Sequence, residues 1–128
     1  MDRQLIEHYI RGADELARAI RGLSPAERNS FPVPGTWSIQ QIVMHMMDSD
    51  LIAADRMKRV IAEEHPTLIG YNETLFAKNL PYAELDAAVA CDIFAKFADR
   101  QSPAFQAPHP CDVDVSQGVV NHKYRTRS

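Results

Sequence analysis

Residues 34–50, PGTWSIQQIVMHMMDSD, decide the fold. Pro34 and Gly35 make a turn, and Ser38 followed three residues later by Gln41 has the spacing of a capping box. In that motif the hydroxyl accepts from the third amide of the helix while the glutamine side chain reaches back. A long helix therefore begins at Ile39. Its apolar stripe, Ile39, Ile42, Val43, Met46, Ala53, Met57, Val60 and Ile61, persists for about seven turns of 3.6 residues and ends near Glu64, before Pro66. Counting 100° per residue from Ile39, the stripe centres on Met46 and Met57, and His45 falls at about 120° to one side. Asp50 falls at about 20°, close to the middle of the apolar face, where a carboxylate either joins a buried hydrogen-bond network or is exposed at a helix kink or an opening of the bundle. Asp48 is expected on the opposite, solvated face.

Outward from this helix, Leu5, Tyr9, Ala13, Leu16, Ile20 and Leu23 recur at steps of three and four, predicting an amphipathic helix over residues 3–23. Between the two, LSPAERNSFPVPGTW is a connection in which Ser24, Pro25 and Glu27 have the residue types of a single capped helical turn. The segment HPTLIGYNETLFAKNLP, from His65 to Pro81, carries Leu68, Ile69, Tyr71, Leu75 and Phe76, more apolar content than a solvated loop, and is expected to pack across the bundle. A third helix is predicted from about Tyr82 to Arg100, with Leu85, Ala88, Val89, Ile93 and Phe97 on one face. Residues 102–128 break the pattern with prolines and read as an irregular tail or the remnant of a fourth helix. The expectation is one domain over residues 1–128, an all-α, antiparallel up-and-down helical bundle.

Composition fits this. The chain has 128 residues, 45% hydrophobic and 24% charged, enough for a single core. A net charge of −3 gives no electrostatic case for nucleic acid or an anionic membrane as partner. The N-terminus has no signal-peptide hydrophobic region, and no 18-residue apolar run is present. Cys91 and Cys111 have no metal-ligand or redox-motif spacing, so a reducing, cytoplasmic setting is expected, with Cys91 a small buried apolar residue.

His45 is the histidine with chemical promise. At the edge of the stripe, beside Ile42 and Ser49, it faces the seam between helices, where neighbouring side chains converge and imidazole commonly ligates divalent metals. A structural histidine at the margin of a core is the competing account, and the residues alone leave both open. His8 and His65 fit surface or helix-end positions, while His109 and His122 fall in the tail. No two histidines have the spacing that gives two ligands from one helix face, and HExxH, GxSxG, GxxxxGK and GxGxxG are all missing.

The ordered combination of Trp37 and Ser38, His45 followed by MMDSD, EEHPTLIGYNE with Pro66 and Tyr71, and then the third helix resembles the DinB/YfiT-like superfamily of four-helix-bundle proteins over roughly residues 3–105. The resemblance implies that His45 is one of three ligands to a divalent metal, nickel or zinc; Asp50, singled out by its place on the wheel, is the candidate supporting residue beside it. It also implies an HxxxH pair on a fourth helix. Here the sequence departs from the pattern: one register places the first of that pair near Arg127, and a shifted register makes His122 the ligand but puts Thr126 at the fourth position after it.

Two functions follow from the resemblance. One is a metal-dependent hydrolase or thiol S-transferase acting on a small molecule or a low-molecular-weight thiol, with His45 and His122 as metal ligands. The other is a catalytically silent bundle serving as an oligomeric or partner-binding module. An incomplete fourth helix would leave an apolar groove, so a homodimer is expected.

Overall fold

The computed structural model describes residues 3–106. Within them the elements are α1 (Arg3–Ala19), α2 (Pro25–Arg28), α3 (Ile39–Ala62), α4 (Glu73–Asn79), a 3-10 turn (Tyr82–Glu84) and α5 (Ala87–Gln106), and there is no strand among the described residues. The all-α bundle expected from the periodicity is what forms.

The chain reverses direction at each step. Tyr9 of α1 meets Phe94 of α5 edge-on, with ring centroids 6.3 Å apart. Ala17 and Ile20 line a groove shared with Ala88 and Cys91, so α1 and α5 run antiparallel. Near the start of α3, Gln40 bonds the carbonyls of Tyr82 and Leu85 just ahead of α5, whereas Asp50, farther along, meets Tyr9. α3 and α5 therefore point the same way. The segment from residue 63 to 81 is the descending arm between them: the Ile69 carbonyl lies against Arg56, Tyr71 against Ser49, and the Ala77 carbonyl against Gln41. The expectation that this segment packs across the bundle is met, through Tyr71, Phe76 and Ala77, although Ile69 and Leu75 are exposed.

Local signals explain the helix ends. Ser38 accepts from Gln41 N at 3.1 Å while Gln41 Oε1 accepts from Ser38 N at 3.0 Å, the reciprocal pair read from the sequence. Ser24 and Glu27 make the same box for α2. The first helix ends at Ala19, short of the predicted Leu23, because the chain turns over to Gly22, whose φ of 82° is open to glycine at no steric cost. The third predicted helix starts at Ala87 rather than Tyr82: Asp86 Oδ1 accepts from the amides of Ala88 and Val89 and fixes the start there. α5 then continues beyond Arg100 to Gln106, running through Pro103, which lacks the N–H for one intrahelical hydrogen bond.

Core positions also differ from the predicted stripes. Ile6 is buried in α1 where Leu5 was expected, and Ala87, Ala90, Cys91, Phe94 and Ala98 form the buried face of α5, leaving Leu85 and Val89 exposed. On α3 the buried residues are Gln40, Val43, Met44, Asp50 and Ala54, while Ile42 and Met46 are exposed. The core face of α3 is thus turned by about 70° from the predicted centre. Periodicity reported the union of two adjacent apolar faces, of which one is covered by α1 and α5. The small side chains at Ala13, Ala87, Ala90 and Ala98 let the helices approach closely, and burial of Val43 and Met44 contributes about 1.5–3 kcal/mol each.

Candidate functional site

His45 lies roughly 170° around α3 from the centre of the buried face, on the side covered by the descending arm. Gln41, His45, Ser49 and Arg56 form the row that receives this arm, at intervals that keep one helix face. Arg56 fastens it by donating from Nε and Nη2 to the Ile69 carbonyl at 3.0 and 2.7 Å. Two residues later Tyr71 packs its ring on Phe76, with centroids 4.9 Å apart, and hydrogen-bonds the Ser49 hydroxyl. Asn72 then accepts from Leu75 N at 3.0 Å, caps α4 and places Glu73 at its first position.

Four side chains consequently surround one imidazole. Trp37 meets it edge-on with centroids 5.0 Å apart, Ser49 Oγ is 3.4 Å from both ring nitrogens, Tyr71 Oη is 3.4 Å from Nδ1, and Glu73 Oε2 is 3.6 Å from Nε2. The His45 side chain is 24% exposed and that of Glu73 57%, so the pair lies at the margin of the bundle and not in its core. The convergence expected at the seam is present, but it comes from the arm rather than from a neighbouring long helix.

The geometry discriminates between chemistries. A Ser-His-acid relay needs the serine and the carboxylate on opposite ring nitrogens. Here Ser49 is equidistant from both and Glu73 stands at Nε2, so the cluster is not such a relay. For metal binding, Nδ1–H donated to the Tyr71 hydroxyl leaves Nε2 with its lone pair free, the arrangement usual for a ligating imidazole. Two donors each about 2.1 Å from a tetrahedral ion stand about 3.4 Å apart, close to the 3.6 Å between His45 Nε2 and Glu73 Oε2. These residues fit one edge of a metal site. Among the described residues, however, no group of three or more His, Cys, Asp or Glu side chains could hold a metal ion.

The other sequence candidates are distributed differently. Asp50 is 6% exposed, the buried one of the two places its position on the wheel left open; its Oδ1 accepts from Tyr9 of α1, and its Oδ2 has no hydrogen-bond partner among the described residues. Burial pushes this carboxyl above the usual carboxylate range, against a smaller lowering by the Tyr9 hydroxyl, and the tyrosine is itself pushed up by burial and by Asp50. Its hydrogen bond goes to α1 and not to the His45 cluster. Asp48 was expected to be solvated and is instead half-buried: Tyr82, held in the core by the 3-10 turn, donates its hydroxyl to it. Cys91 is buried, with its thiol pushed up by desolvation. His109, Cys111 and His122, the last a predicted ligand, lie outside the described residues.

Glu73 was missed by sequence reasoning, as was the part played by Ser49. Asn72 is a recognisable cap residue and would have put Glu73 at a helix start. Only the antiparallel return of the arm along α3 sets that carboxylate opposite His45.

A small helical bundle that presents an outward imidazole and a carboxylate beneath a clamped arm is the class of protein defined so far. The profile of the DinB superfamily matches residues 8–107, and the chain belongs to that family. It is 29% identical over 115 residues, 87% of its own length, to the Bacillus mycoides (strain KBAB4) protein named "Putative metal-dependent hydrolase". A Bacillus cereus (strain B4264) protein with the same name is 31% identical over 77 residues, 60% of this chain. The chain spans 66% of the first relative and 44% of the second. YfiT from Bacillus subtilis, described as "a probable metal-dependent hydrolase with an unusual four-helix bundle topology", superposes with a TM-score of 0.72 at 17% identity, covering 86% of this chain and 65% of YfiT. That likeness shows the fold. Among the described residues, no helix is long and apolar enough to cross a membrane.

Proposed function

We propose that this chain contributes to the centre of a divalent-metal-dependent hydrolase, with His45 as a ligand through Nε2 and zinc or nickel as the ion. The observation that carries this is the arrangement about the His45 ring: Tyr71 Oη stands 3.4 Å from Nδ1, while a carboxylate oxygen of Glu73 stands 3.6 Å from Nε2. The metal-dependent hydrolase names of the relatives support the same chemistry. Nitrogen and oxygen donors suit either ion. When bound, such an ion supplies Lewis-acid polarisation and an acidified water. The protein's own part is to orient the imidazole through Tyr71 and Ser49 and to wall one side of the ring with Trp37.

Metal content tests this directly. Protein purified without a histidine tag is expected to carry, or to take up from zinc- or nickel-containing buffer, a divalent ion that His45→Ala does not retain. Hydrolysis of activated esters should appear with the ion and vanish on chelation. Equal metal content in wild type and His45→Ala, measured by elemental mass spectrometry, overturns the proposal.

A further inference from the structure

We infer that Glu73 is a second protein donor to a divalent ion at His45, making the start of α4 part of the metal site. The inference rests on the reading of His45 as a ligand and adds to it a residue from a different element.

Three observations converge on Glu73. Its Oε2 stands 3.6 Å from His45 Nε2, beyond a normal N–H···O hydrogen bond but close to the spacing of two donors sharing one ion. It faces the ring nitrogen opposite the Tyr71 contact, on the side where the lone pair lies when Nδ1 carries the proton. Its backbone is fixed from both sides: Arg56 grips the Ile69 carbonyl before it, and Asn72 caps the helix that it opens. The carboxylate is therefore delivered to His45 by a clamped strap rather than by a free loop, with only the glutamate's own rotamers left to settle. A neighbouring acid also compensates the charge of a divalent ion, which a neutral imidazole cannot do.

The test uses the full chain, stripped of metal and titrated with Zn²⁺ by calorimetry and with Co²⁺ by visible absorption. Glu73→Gln keeps the size of the side chain but replaces the charged oxygen with a poor donor. It is expected to raise the Zn²⁺ Kd about tenfold or more and to change the intensity of the Co²⁺ bands, with the circular dichroism spectrum unchanged. Glu73→His, which restores a donor atom, should recover part of the affinity. If Glu73→Gln binds both ions as the wild type does while His45→Ala does not, Glu73 is only an ion-pair partner and the inference fails, although His45 remains a ligand. If His45→Ala also binds as the wild type does, the reading of His45 fails and takes the inference with it.

Discussion

Tyr71 Oη lies 3.4 Å from His45 Nδ1, so a residue of the descending arm meets the ring of α3 at the nitrogen facing away from Glu73. When Nδ1 carries the proton, the hydroxyl can accept from it and donate to Ser49 Oγ, a short chain that leaves Nε2 as the nitrogen to ligate. Removing that hydroxyl should weaken the orientation without removing a donor. Tyr71→Phe is expected to lower zinc affinity by about tenfold, at the mild end of the range for groups that hold a ligand in place. Titration calorimetry measures this, and ¹⁵N chemical shifts of the imidazole should show the Nδ1–H tautomer losing population in the variant. An unaltered tautomer would separate Tyr71 from the site.

Asp50 predicts a pH dependence whose sign can be worked out. Burial raises its folded pKa above the reference 3.8, so the folded state binds the proton more tightly than the unfolded chain. The contribution to stability is complete below the unfolded value and is lost as pH rises through the folded one. The wild type should therefore gain stability on Asp50→Asn as pH falls from 7 toward 4. Comparing the two proteins at each pH cancels the other carboxylates. Urea midpoints measured across that range should converge or cross in favour of the wild type, and a gap that does not vary with pH would contradict the burial argument.

Gln40 predicts a stability loss that its polarity hides. It is 1% exposed, donates from Nε2 to the carbonyls of Tyr82 and Leu85 at 2.8 and 2.7 Å, and accepts from Arg28 Nε at 3.3 Å. One side chain thus ties α2, α3 and the entry to α5. Gln40→Leu leaves those partners unsatisfied next to the core and should cost about 2–3 kcal/mol. Chemical unfolding is the measurement, and a loss under roughly 0.5 kcal/mol, the level of an ordinary surface substitution, would show that water replaces the amide.

Much of this was legible in the residues themselves. Ser38 with Gln41, and Ser24 with Glu27, announce two helix starts because a cap is a local matter: the hydroxyl, the amide and the returning side chain lie within four residues. Three amphipathic runs sufficed for an all-α bundle, and the place of Asp50 on the wheel singled it out, although its burial was decided by the packing of Tyr9 of α1 against it. His45 could be singled out for its boundary position and its family likeness.

What periodicity could not tell is which of two adjacent apolar faces α3 turns inward, because Ile42 and Met46 are as apolar as Val43 and Met44. Only the packing of α5 against α3 and α1 chose between them, and that choice placed His45 opposite the core instead of at its edge. Asp48 shows the same limit: its partner Tyr82 is 34 residues away and arrives through a 3-10 turn. The sequence by itself determined the elements, their caps and the residue types available for metal chemistry, since those depend on neighbours along the chain. The tertiary structure alone decided that Tyr71 and Glu73 meet the two nitrogens of His45, because this needs the arm to return antiparallel along α3, a relation set by packing across more than twenty residues of chain.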